Sequence, residues 1–322
     1  MLLAIFAVVA SLAVLALSAD KFVDGASAMA YKVGMSPLLV GLTVVSFGTS
    51  APEILIAVMS AAGENPGIAI GNALGSNVAN IALILGVASL IIPLPVASTV
   101  LRRELPLLLA AVLFSSALLL DLHLSVFDGI ALIITLCLCL CWLIYQGKTA
   151  KDDIIADEYE EIMDQDSSFR TAMIITVLAL LALLISSRIL VWGAVEIARA
   201  LHVSELMIGL SIVAVGTSLP ELAATIACVM RKEYDLAIGN VVGSNLFNAL
   251  AVLGVVAVLS PTDVDVMVRN RDVVVQIVLT IALLIFCIGL RGRDGRINRF
   301  EGLAFVTAFA GYQWLIYYQE AM

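Results

Sequence analysis

The chain has 322 residues, 62% hydrophobic and 13% charged, with a mean hydropathy of +1.09. Its charges collect in short clusters between apolar runs of about twenty residues, the length a helix needs to cross a bilayer, which excludes a soluble globular protein and indicates an all-α polytopic membrane protein. The net charge of −9 carries no message about nucleic acid and no such partner is expected, because eight of the 26 acidic residues lie in one stretch from Asp152 to Asp166.

Apolar runs and their breakers predict ten transmembrane helices, at about 1–30, 37–62, 67–92, 104–121, 126–147, 169–199, 204–229, 236–260, 272–290 and 299–319. The first begins with a signal-like apolar core, Met1 to Ser18, but lacks a basic start, and a retained helix is expected. The first and sixth runs exceed the bilayer thickness, which predicts tilt. Cys137, Cys139 and Cys141 share the fifth run, and Cys228 and Cys287 lie in two others. Their spacing fits neither a metal finger nor a disulfide framework, so they read as small apolar packing residues. Between the fifth and sixth runs lies the one sustained polar segment, about 148–168, whose acids Asp152, Asp153, Asp157, Glu158, Glu160, Glu161, Asp164 and Asp166 lack the calcium-loop pattern. It reads as a solvated tether.

Residues 41–93 and 209–261 align at an offset of 168 without a gap. Gly48-Thr49-Ser50, Pro52-Glu53, Gly71-Asn72, Gly75-Ser76-Asn77 and Asn80 return as Gly216-Thr217-Ser218, Pro220-Glu221, Gly239-Asn240, Gly243-Ser244-Asn245 and Asn248. Val23, Gly25 and Ala26 likewise return as Val191, Gly193 and Ala194. The chain therefore divides into a first repeat of five helices (1–147), an acidic linker (148–168) and a second repeat of five (169–322). Five is odd, so the second repeat must enter the membrane from the opposite side, and two inverted-topology repeats are expected. On the linker's face fall Lys32, Arg102, Arg103, Lys148, Lys151, Arg170, Arg231, Lys232, Arg291, Arg293, Arg296 and Arg299, against Arg199, Arg269 and Arg271 on the other. The positive-inside bias then puts the linker in the cytoplasm and both termini outside, in a cell membrane. Lys21 and Arg188, at nearly equivalent depth inside the two long helices, belong to neither count.

In the second span Pro52 has no amide hydrogen and crowds the carbonyl four residues back, so a helix there loosens and releases carbonyls near Gly48 and Ser46. Thr49 and Ser50 precede Glu53 by four and three residues, which places two hydroxyls and a carboxylate on one helical face. In the third span Ser76 and Asn80 are one turn apart, and Gly71 and Gly75 allow close helix approach. The same holds for Thr217, Ser218, Glu221, Ser244 and Asn248. Lone hydroxyls, glycines or a proline in such helices usually serve the backbone. A carboxylate there costs roughly 2.5–3.5 kcal/mol on lenient insertion scales, and two in identical settings point to an ion site. Carboxylates, amides, hydroxyls and carbonyls form a hard-oxygen donor set, suited to Na⁺, Ca²⁺ or Mg²⁺ and poor for softer metals. Glu53 and Glu221, if ionised, carry −2, which one Ca²⁺ or two Na⁺ balances.

Gly48-Thr49-Ser50-Ala51-Pro52-Glu53 with Gly71 to Asn77, and Gly216-Thr217-Ser218-Leu219-Pro220-Glu221 with Gly239 to Asn245, resemble the two alpha-repeats of the cation/calcium exchanger superfamily, and most of all those of prokaryotic sodium/calcium exchangers. The resemblance extends over nearly the whole chain. It implies a secondary antiporter that admits Na⁺ and expels Ca²⁺, with several Na⁺ per Ca²⁺, no cofactor, and alternating access by sliding of the long first and sixth helices. It further implies Glu53 and Glu221 as shared carboxylates, Thr49, Ser50, Ser76, Thr217, Ser218 and Ser244 as surrounding ligands, and backbone carbonyls from Ser46 and Ala214. Many members carry Asp where this chain has Asn80 or Asn248. Two asparagines make proton coupling less expected but leave Ca²⁺/H⁺ and K⁺-dependent Na⁺/Ca²⁺ exchange as the alternatives. The linker is too short for the folded regulatory domains of animal exchangers. An enzyme is not expected, since no Gly-x-Ser-x-Gly is present and His123 and His202 fall near span ends. A passive channel fits broken, repeated helices around one site less well than alternating access.

Overall fold

The computed structural model describes residues 1–63, 65–96, 100–149, 168–202, 214–288 and 295–320. The acidic run of the linker and the start of the expected seventh span lie outside the described residues. Helix α1 (Leu2–Val33) is 32 residues long and stops at Gly34, which takes the left-handed conformation (φ 65°) that glycine adopts without strain. A broken pair follows, α2 (Pro37–Thr49) and α3 (Ala51–Ala62), bent by 43°. Ser36 starts α2 by accepting the Leu39 N–H at 3.3 Å, with Pro37 at a position where its missing N–H is harmless. Then come α4 (Pro66–Ile91), α5 (Leu105–Leu118) and α6 (Val126–Thr149). The second half holds α7 (Phe169–Ala200), capped by Ser168 on the Thr171 N–H, then α8 (Ala214–Thr217) and α9 (Leu219–Met230). It ends with α10 (Tyr234–Leu259), α11 (Val268–Cys287) and α12 (Arg299–Glu320).

Among the described residues six helices, α1, α4, α6, α7, α10 and α11, are long and apolar enough to cross a bilayer, and the bent α2–α3 pair makes a seventh. The protein is a mostly helical, multi-pass membrane protein. Burial sorts its layers: 72% of the apolar window of α4 and 89% of that of α10 is buried, against 28% for α1 and 33% for α7. The helices bearing the Gly-Ser-Asn motifs are thus the centre, and the long helices lie outside with apolar side chains such as Leu3, Phe6, Leu178 and Ile185 exposed. Several hydroxyls in the long helices bond the preceding turn: Ser18 bonds Leu15 O at 3.1 Å and Thr176 bonds Ala172 O at 2.8 Å.

Glycines set the closest helix approaches. A Cβ on Gly25 of α1 would stand 2.4 Å from Thr176 Oγ1 of α7, and one on Gly193 of α7 would stand 2.8 Å from Val8 Cγ2 of α1. These crossed contacts make α1 and α7 antiparallel neighbours. Between α2 and α10, a Cβ on Gly239 would lie 2.5 Å from Leu38 O, and one on Gly243 would lie 2.4 Å from Ser46 Oγ. The segment that would face Gly71 and Gly75 by the repeat lies outside the described residues.

The all-α expectation needs one correction. Strand β1 (Leu94–Pro95) pairs antiparallel with β4 (Arg296–Ile297), and β2 (His123–Leu124) with β3 (Thr262–Asp263). Strands of two residues leave no periodicity to read in a sequence. Each ladder ties a loop of the first half to a loop of the second.

Candidate functional site

Both repeated motifs break their helices at the same residue. Ser50 (φ −84°, ψ 4°) separates α2 from α3, and Ser218 (φ −91°, ψ 8°) separates α8 from α9. Pro52 and Pro220 follow in the first turn of the new helix, where a missing N–H costs nothing. The break puts Glu53 and Glu221 in the first turns of α3 and α9, where the helix dipole favours negative charge. Both are deeply buried, with 1% and 2% of their surface exposed.

The hydroxyls do not stay with the glutamate of their own motif, as a continuous helix would have them. Ser50 Oγ donates across the repeat to Glu221 Oε1 at 3.4 Å. Thr49 Oγ1 donates to Asn240 Oδ1 of α10 at 3.2 Å, and Thr217 Oγ1 to Asn72 Oδ1 of α4 at 3.5 Å. The last two bonds are the same bond twice, because residues 49 and 217, and 72 and 240, are partners at the offset of 168. Asn240 also donates to Thr225 Oγ1 at 3.1 Å and to the Glu221 carbonyl at 3.5 Å. Asn80 Nδ2 donates to Asn245 Oδ1 at 3.2 Å, which joins α4 to α10 directly. Asn77 breaks the symmetry: its amide donates to Gln276 Oε1 of α11 at 3.0 Å, and Gln276 reaches Ser116 Oγ of α5 at 3.4 Å.

Asn80 and Asn248 lie at the start of wide, π-helical turns, Ala79–Leu85 and Phe247–Val252, matched at the repeat offset. Such turns rotate side chains out of the regular helical register and recur at functional sites. Ser76 is buried one turn before Asn80. Ser46 turns its hydroxyl back to Leu42 O at 2.8 Å, and its carbonyl accepts the Ser50 N–H at 2.9 Å and the Thr49 hydroxyl at 3.3 Å. Ala214 is the first residue of α8, and one turn on Ser218 N–H bonds Val215 O at 3.1 Å.

Several buried acceptors of this cluster have no protein partner among the described residues: both Glu53 oxygens, Glu221 Oε2, Ser218 Oγ, Ser244 Oγ and the amide oxygens of Asn77, Asn80 and Asn248. Buried polar atoms are normally bonded, and each left alone costs about 1–3 kcal/mol. Among the described residues no three His, Cys, Asp or Glu side chains converge, so the negative charge comes from two carboxylates and the other donors are neutral oxygens. That donor set suits a hard cation, which takes six to eight oxygens as Ca²⁺ or fewer as a smaller ion.

Sequence reasoning named the carboxylates and hydroxyls but left out Asn72, Asn77, Asn240, Asn245, Thr225, Gln276 and Ser116. Repetition of Gly71-Asn72 as Gly239-Asn240 was the available signal for the first pair. Gln276 has no counterpart in the first repeat, and its only signal was an amide inside an apolar helix.

Two carboxylates and a set of neutral oxygens, buried where membrane helices break, define the class of membrane transporters for hard cations. The sodium/calcium exchanger protein family matches residues 3–145 and 171–318, on both sides of the acidic linker, and the chain belongs to that family of cation/Ca²⁺ antiporters. It is 43% identical to the putative antiporter CaxA of Alkalimonas amylolytica, over 98% of this chain and 99% of that one. It is 27% identical to the sodium/calcium exchanger MaX1 of Methanosarcina acetivorans, over 93% and 94% of the two chains. The solved sodium-calcium exchanger NCX_Mj, soaked with 2.5 mM Na⁺ and 0.1 mM Ca²⁺, superposes with a TM-score of 0.82 at 28% identity, covering 96% of this chain and 97% of its own.

Proposed function

We propose that the chain is a secondary antiporter that expels Ca²⁺ in exchange for Na⁺ entry, with Glu53 and Glu221 as the carboxylates shared by the two ions. The observation that carries this reading is the bond across the repeats from Ser50, in the motif of Glu53, to the carboxylate of Glu221 in the other motif. Ionised, the pair is neutralised by one Ca²⁺ or by two Na⁺ but not by both sets together, so the ions compete and exchange follows. Thr49, Ser50, Ser76, Asn80, Thr217, Ser218, Ser244 and Asn248 complete the oxygen set, with the Ser46 and Ala214 carbonyls at its margin. Such a site needs transport of ions and no chemical catalysis.

Ten spans in two inverted halves, 1–147 and 169–322, accompany this reading. Both ladders support it: counting ten crossings, the loops of β1 and β4 follow three and nine, and those of β2 and β3 four and eight, so each pair shares a face. The antiparallel contact of α1 with α7 agrees. Loop charge then puts both termini outside and the linker in the cytoplasm.

The experiment is ⁴⁵Ca²⁺ uptake into proteoliposomes loaded with Na⁺. Uptake should follow the Na⁺ gradient, and Glu53→Gln and Glu221→Gln should each abolish it while the protein still purifies as a monodisperse species. Uptake that ignores Na⁺ and follows a pH gradient would establish Ca²⁺/H⁺ antiport instead, and a requirement for K⁺ would establish the K⁺-dependent form.

A further inference from the structure

Helix α7 carries a guanidinium in the middle of an apolar run. Arg188 lines a recess of about 210 Å³ together with Ser187, Val191 and Trp192 of its own helix and with Pro52, Gly216 and Thr217 of the two site motifs. The recess therefore reaches the residues beside Glu53 and Ser218. Arg188 is exposed there, it has no hydrogen-bond or ion-pair partner among the described residues, and Glu53 lies within reach of its charge.

The repeat makes this exceptional. At the offset of 168 the place of Arg188 is taken on α1 by Asp20, and that of Trp192 by Asp24. Those acids are compensated: Arg231, at the end of α9, donates from Nε to Asp20 Oδ1 at 2.5 Å and from Nη1 to Asp24 Oδ1, and Lys21 Nζ bonds Asp24 Oδ2 at 3.3 Å. The two acids of α1 meet two bases, Lys21 of the same helix and Arg231 at the end of α9, whereas Arg188 in the apolar stretch of α7 has no ion-paired acid among the described residues. A bare charge in a membrane helix is costly, and a packing role would be filled better by an apolar side chain.

We propose that Arg188 is a specificity-determining residue, whose fixed charge in the recess holds back cations approaching Glu53 and does so more strongly for a divalent than for a monovalent ion. This rests on the cation-exchange reading above. A local potential changes the concentration of an ion by a factor exponential in the ion's charge. Removing one positive charge therefore enriches Ca²⁺ by the square of the factor for Na⁺. A screened interaction across the recess makes that factor about 2–3 for Na⁺ and hence about 4–9 for Ca²⁺.

The test compares Arg188→Gln with the charge-conserving Arg188→Lys. The KM for Ca²⁺ and the inhibition constant for external Na⁺ are measured by ⁴⁵Ca²⁺ uptake, and Ca²⁺ alone is titrated calorimetrically into the detergent-solubilised protein. Arg188→Gln should lower the Ca²⁺ constants about 4–9-fold and the Na⁺ constant only about 2–3-fold, with kcat changed less than twofold. Arg188→Lys should stay near the wild type. Equal constants for Gln and Lys, or equal shifts for Ca²⁺ and Na⁺, would overturn the proposal. Failure of wild-type protein to couple uptake to Na⁺ would sink the exchange reading alone, because the calorimetric comparison of Gln with Lys still decides the role of Arg188.

Discussion

Replacing Glu53 by Met should make the protein more stable and useless. The side chain is 1% exposed, and neither carboxylate oxygen has a protein partner among the described residues. Deleting both oxygens therefore breaks no bond, and the unbranched thioether fills nearly the same space. Removing an unpartnered buried polar group is worth about 1–3 kcal/mol, the range found when buried charged groups give way to packed apolar ones. For a chain of this size that is roughly 2–6 °C in melting temperature. Calcium reverses the order. A ligand at a hundred times its dissociation constant stabilises the form that binds it by about 2.7 kcal/mol, a gain open to the wild type and closed to Glu53→Met. Melting curves in detergent, with chelator and then with saturating Ca²⁺, should cross: the variant higher without Ca²⁺, the wild type higher or level with it. A variant that melts below the wild type in chelator, or whose midpoint rises with Ca²⁺ as far as the wild type's, would refute the placing of Glu53 among the ion's ligands.

Two further outcomes follow from the packing and charge of the site. Gly239→Ala places a methyl 2.5 Å from the Leu38 carbonyl, which is backbone and cannot swing aside, so α2 and α10 must part and stability should fall by about 1–3 kcal/mol, read as a lower melting temperature with weaker Ca²⁺ uptake. Asn248→Asp adds a third acid to the proposed ion site for which protons compete, so uptake should fall more steeply on acidification than in the wild type, and superimposable pH profiles would count against its place in the site.

The carboxylates were legible before any fold was known, because a glutamate inside an apolar run is conspicuous and a second copy 168 residues away removes chance. Their partners were harder to read. Helical periodicity assigns Thr49 and Ser50 to the face of Glu53, but Ser50 ends its helix, and the hydroxyls go to Asn240 and Glu221 of the other half. Periodicity describes one continuous helix, and it fails where Pro52 interrupts the hydrogen-bond ladder. The wide turns at Asn80 and Asn248 escaped for a related reason: one additional residue in a turn changes which side chains share a face but leaves composition unaltered. Gln276 and Ser116 joined the polar centre through packing of α11 against α4 and of α5 against α11, contacts between spans that no local pattern encodes.

Composition and repetition were enough to establish a membrane protein, its helical runs, the duplication and the two acids at its heart. Each of these follows from local physics: the length of an apolar run, the cost of a charge in lipid, the missing amide of proline. Pairing belonged to the assembled molecule. Only there do Thr49 with Asn240 and Thr217 with Asn72 appear as one bond made twice, do short strands tie loops of opposite halves, and does Arg188 stand without an ion pair among the described residues where Asp20 on α1 is neutralised by Arg231. Contacts between residues more than a hundred positions apart depend on how helices cross, and that is decided by glycine-sized gaps and by the sum of all packing at once.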